Sequence, residues 1–269
     1  MIRMALALCL LLTGPAGAGA VQELRVCADP NNLPFSNERR EGFENRIVQL
    51  LAGDLGVPVA YTWWPQRRGF IRNTLKEGLC DLVPGVPSGL AMVSTTAPYY
   101  RSGYVFVAKA QGGPVITSFD DPRLRSLRIG VQMIGDDFAN TPPAHALTQR
   151  GIIDNVRGYM VYGDYNRDDG AAGIVEAVSS GAVDVAIVWG PVAGYYAGRQ
   201  PVPLALTPIA PPAEGPLFPM AFDISMGLRR GDRAFHDLVS GALDRNRAAI
   251  DAILADFGVP RLEQPRGRD

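Results

Sequence analysis

Apolar and polar positions along this chain switch between two periods, and the switches mark out a strand–helix rhythm that runs twice. Leu24 to Ala28 is a continuous apolar run of strand length. Phe43, Ile47, Leu50, Leu51 and Leu55 recur at helical spacing, and Gly56 ends that helix. Val57, Val59, Tyr61 and Trp63 alternate as a half-buried strand does. The pattern then predicts a short helix from Phe70 to Glu77 closed by Gly78, a strand from Asp81 to Val86 and another from Tyr104 to Ala108. Gln111-Gly112-Gly113-Pro114 interrupts the rhythm, which resumes with a strand at Leu127 to Val131, an interrupted helix from Asp136 to Arg150 and a strand at Val156 to Tyr162. A helix from Ala171 to Ser180, stopped by Gly181, leads to a buried strand from Val183 to Trp189. After a proline-dense return from Pro208 to Pro219 come a strand from Phe222 to Leu228 and one long amphipathic helix. That helix carries Phe235, Val239, Ala242, Ile250, Leu254 and Phe257 on one side and is stopped by Gly258 and Pro260.

Strands alternating with helices imply parallel, doubly wound α/β sheets. The break and the return divide the chain into two lobes joined by two crossover hinge segments. Lobe 1 is expected to comprise residues 21–109 and 215–262, and lobe 2 residues 110–214, with a disordered tail at 263–269. Such a pair encloses a cleft that closes by hinge motion.

Residues 1–20 read as a secretory signal peptide: Arg3, an apolar run from Ala5 to Leu12, and the small residues Ala18-Gly19-Ala20 before the cut. The run is too short to span a bilayer, so a soluble, periplasmic protein is expected. Formal charge is only −1, which argues against nucleic acid or an anionic membrane as partner. Cys9 leaves with the leader. The remaining pair, Cys27 and Cys80, favours a disulfide in an oxidising compartment. Parallel pairing of their strands, with Cys27 late in one and Cys80 at the start of the other, argues the opposite. The sequence leaves the bond open.

Two stretches concentrate the chemistry: Arg25-Val-Cys-Ala-Asp-Pro-Asn-Asn-Leu-Pro-Phe35 and Tyr61-Thr-Trp-Trp-Pro-Gln-Arg-Arg-Gly-Phe70. Both run from a strand into a loop at its carboxyl end, where open α/β sheets bind ligands. Asp29, Asn31, Asn32 and Phe35 are candidate cleft residues, although Asp-Pro and Asn-Asn also build turns. Trp63 continues the buried alternation, so Trp64 is free for a cleft or an interface. Gln66, Arg67 and Arg68 follow it, and Trp beside Arg suits both protein hot spots and stacking on a flat conjugated acid. Tyr99 and Tyr100 are placed at the cleft mouth, and Tyr104 in the strand core.

Leu24-Arg-Val-Cys-Ala-Asp-Pro30, Gly42-Phe43-Glu44 and Ala97 to Lys109 resemble the extracellular solute-binding proteins that deliver polar amino acids to ABC transporters. Leu127 to Gln132 and Val183 to Val188 resemble their second lobe. Cys27 to Phe35, Trp63-Trp-Pro-Gln-Arg-Arg-Gly-Phe70 and Pro98-Tyr-Tyr-Arg-Ser102 are similar to a narrower branch, the MxaJ/XoxJ group encoded beside quinoprotein methanol dehydrogenases. The resemblance implies a class II periplasmic-binding-protein fold. It also exposes two departures. Amino-acid receptors fork an Arg onto the substrate carboxylate after the third strand, but Gly85 to Ser94 contains no basic residue. They hold the ammonium with an Asp where this chain has Trp189. Gln132 and Trp189 complete the expected cleft.

Catalytic signals are poor. His145 and His236 have no paired ligand spacing, and there is no nucleophile elbow, phosphate loop or dinucleotide fingerprint. Asp164-Tyr-Asn-Arg-Asp-Asp-Gly170 resembles the start of a calcium loop, but Gly170 and Glu176 each fall one place late, and a capped helix start explains it better. No metal, cofactor or catalytic residue is expected. The resemblance implies a non-enzymatic binding protein whose partner is a pyrroloquinoline-quinone (PQQ)-dependent alcohol dehydrogenase or its cytochrome c partner. The protein would assist in assembly, activation or cofactor loading. The other reading is the receptor of an ABC uptake system for a small ligand other than an amino acid.

Overall fold

The computed structural model describes residues 21–134, 140–162, 165–167, 170–210 and 218–263. The expected leader, Asp136, the carboxylates Asp164, Asp168 and Asp169, residues 211–217 of the return segment and residues 264–269 of the tail lie outside the described residues.

The chain opens with β1 (Leu24–Ala28), a two-rung hairpin of β2 (Asn31–Asn32) and β3 (Ser36–Asn37), and α1 (Phe43–Leu55), which ends on left-handed Gly56. β4 (Val59–Trp63), α2 (Phe70–Asn73), β5 (Leu82–Pro87) and β6 (Ser94–Thr95) follow. β1 lies between β4 and β5, parallel to both. Next comes β7 (Tyr100–Lys109), ten residues long. Beyond it are β8 (Ile129–Met133), α3 (Pro142–Gln149), β9 (Val156–Met160), α4 (Gly173–Ser180), β10 (Val185–Trp189), α5 (Gly190–Ala197) and β11 (Leu204–Pro208). β8 lies between β9 and β10, again parallel to both. The chain returns through β12 (Ala221–Leu228) to α6 (Arg233–Arg245) and α7 (Arg247–Asp256). This is the expected mixed α/β architecture, with parallel strands at the heart of each half.

One strand ties the halves together. Tyr100 to Gly103 of β7 pair antiparallel with β12, whereas Tyr104 to Ala108 pair antiparallel with β10. β11 covers the other edge of the same segment. The strand order therefore runs without interruption through both lobes, β4-β1-β5-β12-β7-β10-β8-β9. At the change of partner, Ser102 Oγ donates to the Pro260 carbonyl at 2.6 Å. A side chain at Gly103 would meet the Met220 carbonyl, so only glycine fits there. Each half has its own buried core. Leu24, Val26, Phe43, Ile47, Leu82 and Met226 anchor the first, while Phe106, Phe119, Leu124, Ile129 and Val131 pack on one face of the second sheet. Val107, Ile174, Val178 and Ala186 pack on its other face.

Cys27 and Cys80 are joined, with Cα atoms 5.6 Å apart, and both are fully buried. The parallel register is as expected, with Val26 opposite Leu82. Cys80, however, lies in the bend before β5 rather than in its ladder, so the chain brings it back beside Cys27.

Several elements differ from the pattern reading: β7 starts at Tyr100 and not at Tyr104, β11 was not expected, and α3 spans only Pro142–Gln149. α2 stops at Asn73 instead of Glu77, because Thr74 leaves helical geometry and its hydroxyl captures the Phe70 carbonyl at 2.6 Å. The last helix is two helices, broken at Asn246, whose amide binds the Ala242 carbonyl at 2.8 Å. α5 was hidden by Gly190, Pro191, Gly194 and Gly198. Proline is tolerated in its first turn, and Gly194 lies against the Gly258 carbonyl so closely that no Cβ would fit.

The disulfide closes a loop of 53 residues. Cys80→Ala is expected to lose about 4 kcal/mol on chain-entropy grounds, read as a lower urea midpoint than wild type, with wild type in reductant falling to the same value.

Candidate functional site

Where the two halves face each other lies a cavity of about 520 Å³. Its floor is aromatic. Trp189, the last residue of β10, stands edge-on to Tyr104 (centroids 5.4 Å, 65°) and to Phe222 (5.8 Å, 68°). Trp189 is held by its backbone, since its N–H donates to Oε1 of buried Gln132 at 2.7 Å. Phe35 and Tyr100 wall the first-lobe side, and Ile134, Tyr162 and Val192 the second-lobe side.

Above the floor, three loops close on one another. Asp29, just past β1, is buried and accepts from the Asn31 N–H at 2.8 Å and the Gln66 N–H at 2.6 Å. Its second oxygen also accepts from the Tyr165 hydroxyl, which comes from the opposite lobe. Burial, followed by the carboxylate of Asp29, raises the Tyr165 phenol above its ordinary range. Asn31 Nδ2 donates to the Arg167 carbonyl at 2.7 Å, and Asn32 Nδ2 to Gln66 Oε1 at 3.3 Å. The Arg67 guanidinium stands 4.9 Å from the Tyr165 ring centroid and 5.9 Å from that of Tyr162. Lower down, the Tyr196 hydroxyl donates to the Leu33 carbonyl at 3.2 Å. The lobes are thus latched shut by hydrogen bonds and a cation–ring contact.

Of the sequence candidates, Asn32, Phe35, Gln66, Tyr100, Gln132 and Trp189 line the cavity. Asp29 and Asn31 serve the latch. Trp64, Arg67, Arg68 and Tyr99 are not among the lining residues. Trp64, one residue past β4, is 40% exposed on the outer surface, and Arg67 and Arg68 are exposed beside it. Their loop turns outward where the Gln66 N–H is pulled onto Asp29. Tyr99 is buried in the first core, its hydroxyl donating to the Pro84 carbonyl at 3.0 Å. Tyr104 packs against the second core, as expected, and also borders the cavity where β7 changes partners. No Arg or Lys occurs among the lining residues. The expected guanidinium surface therefore does not line the cavity: Arg67 sits at the rim of the cleft over Tyr165 and Tyr162.

The pattern reading missed Glu44. It is the second residue of α1, only 7% exposed, and it lines the cavity. Among the described residues its carboxyl has no hydrogen-bond partner. Its Oε1 occupies the space that a Cβ on Gly85 would take. Burial, and to a smaller degree the charge of Asp29, pushes its pKa up to about 8. Glu44 appeared in the sequence only as part of a family pattern. A charged residue beside Phe43 at a helix start reads as surface, and hydropathy does not disclose that α1 begins inside a cleft. A hollow of about 1080 Å³ on the outer edge of the first lobe abuts Val21, where the described chain begins, and encloses the Arg25–Asp81 ion pair. It carries no comparable convergence of side chains from both lobes.

Two relatives, both named Protein MoxJ, frame this geometry. The one from Methylorubrum extorquens is 31% identical over 89% of this chain and 81% of its own length, and the one from Paracoccus denitrificans 29% identical over 94% of each. The chain belongs to the MoxJ family. Solved structures agree. The periplasmic binding protein XoxJ from Methylobacterium extorquens AM1 is 34% identical, with 90% of this chain and all of that one aligned at a TM-score of 0.73. MxaJ from Methlophaga aminisulfidivorans MPT is 27% identical, with 89% and 100% aligned at 0.74. An ancestral cationic amino acid solute-binding protein, at 22% identity and TM-score 0.67, shares the fold. No protein-family model matches the chain. Among the described residues no helix is long and apolar enough to cross a membrane.

Glu44 makes stability depend on pH. Its pKa is raised on folding from 4.5 to about 8, so the folded state holds a proton that the unfolded chain releases between those values. Stability is full below pH 4.5 and falls by about 1.4 kcal/mol per pH unit up to about pH 8. Urea titrations at pH 5 and pH 8 are expected to show this loss in wild type, and a smaller loss in Glu44→Gln, which keeps the shape and removes the proton.

Proposed function

We propose that this chain is a non-enzymatic periplasmic binding protein of methanol oxidation that engages a PQQ-dependent alcohol dehydrogenase and assists its assembly or activation. Membership of the MoxJ family supports the link to methanol oxidation. The leader read in residues 1–20 would deliver the protein to the periplasm, the compartment named for the XoxJ relative. The observation that carries the reading is the cleft lining. Where amino-acid receptors grip a zwitterion with a forked Arg and an Asp, this cleft has Gly85-Val-Pro87 and Trp189 and no basic side chain. A free amino acid would lose both charge partners there, a cost of several kcal/mol.

The lining also weighs between the kinds of assistance. PQQ is a flat acid with several carboxylates, and a cavity with no Arg or Lys in its lining leaves those desolvated charges without a partner. Cofactor loading through this cleft is therefore disfavoured, and capture of a segment of the dehydrogenase is favoured. The outer face that carries Trp64, Arg67 and Arg68 fits a protein contact, since exposed Trp and Arg are enriched where binding energy concentrates. The cavity has the size of a small-ligand site, which keeps the uptake-receptor reading as the alternative.

Tagged mature protein drawn from a methanol-grown culture is expected to bring down the quinoprotein dehydrogenase. Trp64→Ala is expected to reduce its recovery at least tenfold, the scale of a hot-spot loss of about 2 kcal/mol, with an unchanged melting temperature. Recovery of a permease without dehydrogenase would replace this reading by the uptake one.

A further inference from the structure

Glu44 is an acid that the latch and the cores do not use. The residue is more than nine-tenths buried, and its carboxyl lies in the wall of an aromatic cavity with no donor on it among the described residues. Unpaired buried acids are costly, and their persistence calls for a partner. The groups that face it come from several elements. Asp29 approaches from the loop after β1, Tyr61 from β4, Tyr99 from the approach to β7, and Tyr100 from β7 itself. Every one of them is acidic or neutral, and the cavity lining adds no base. The site is therefore hostile to anions. It also sits in the first turn of α1, at the positive end of the helix dipole, which favours the ionised carboxylate once a counter-charge arrives. Around it Tyr100, Tyr104, Trp189 and Phe222 offer ring faces and edges, and such rings attract a desolvated cation as well as an apolar body.

Taking the cleft as a binding site, as the reading above does, we propose that it holds a ligand with an ammonium group on an apolar body, with Glu44 as the counter-ion and the aromatic floor receiving the body. Two sources share this chemistry: a lysine side chain of a partner's segment, and a free organic amine. Binding is also a proton exchange. The ammonium enters charged, Glu44 gives up its proton to solvent, and the pair forms in the cleft. Below the pKa of about 8, affinity should then rise with pH, by about tenfold from pH 6 to pH 7, and level off above pH 8.

Isothermal titration calorimetry of the full mature protein with phenethylammonium chloride tests this. Titrations at pH 6, 7 and 8, each in two buffers of different ionisation enthalpy, count the protons released. The expected result is release of nearly one proton per ligand at pH 7, the tenfold rise in affinity, and binding of phenethyl alcohol and phenylacetate at least tenfold weaker. Glu44→Gln should abolish both the proton release and the pH slope. Should that variant fail to fold, the wild-type slope and proton count decide by themselves. A short apolar peptide with one central lysine, compared with its Nζ-acetylated form, separates the sources. Tighter binding of the peptide than of the free amine assigns the site to a polypeptide segment, and the reverse assigns it to a solute. Equal binding of the alcohol and the ammonium, binding without proton release, or no heat at millimolar ammonium would overturn the proposal. A dehydrogenase pull-down on the same samples is read separately. Dehydrogenase recovered without ammonium binding sinks this inference alone, and ammonium binding without dehydrogenase sinks the partner assignment alone.

Discussion

The architecture depends on β7 having to satisfy two sheets at once. Its first four residues pair with β12 and its next five with β10, so one strand carries the ladder from one lobe into the other. Strand alternation then decides what faces the gap. Tyr100 and Tyr104, four residues apart on one strand, fall on the same side and become opposite parts of a single cavity wall. Trp189 is the last residue of the neighbouring strand, opposite Tyr104 in the ladder. Phe222, opposite Ser102 on β12, completes the floor. The cleft is aromatic because the junction places these side chains there, not because a loop was added to supply them.

Closure uses a different chemistry. The latch around Asp29 joins a carboxyl to backbone N–H groups and a phenol, interactions that are directional and stronger in a partly desolvated gap than in water. The rings below give little directional preference and accept many shapes. Division of labour follows from this. Asp29, Tyr165 and Arg67 fix the distance between lobes, whereas the floor and Glu44 determine what the enclosed volume tolerates. Receptors of the amino-acid type combine the two tasks, because there the substrate's own charges bridge the lobes. Here the bridge is supplied by the protein itself.

Much of this could be read from the residues alone. Periodicity located β1, α1, α4, β10 and β12 because each buries a face continuous in sequence. It overran α2 and merged α6 with α7, since Thr74 and Asn246 interrupt helices by binding backbone carbonyls, an effect invisible to hydropathy. It missed α5 because its glycines mark a close approach to Gly258 and not a loop. At the site, Asn32, Phe35, Gln66, Tyr100, Gln132 and Trp189 were legible as residues at strand ends or on the long strand. Trp64, Arg67 and Arg68 do not line the cavity, because the direction of their loop is fixed by Asp29, 37 residues from Gln66, which leaves Arg67 at the rim. Glu44 was illegible as a site for a related reason: its burial comes from distant first-lobe segments, with its carboxyl seated over Gly85 and near Tyr99 and Tyr100.

The disulfide also makes the two rims of the gap mechanically unequal. Cys27 is covalently tied to Cys80 only two residues before Asp29, so the first-lobe lip is riveted to its sheet. The facing lip at Tyr165 and Arg167 is held across the gap by hydrogen bonds and a ring contact. Of the two lips, the first-lobe one is therefore the more tightly bound to its own sheet.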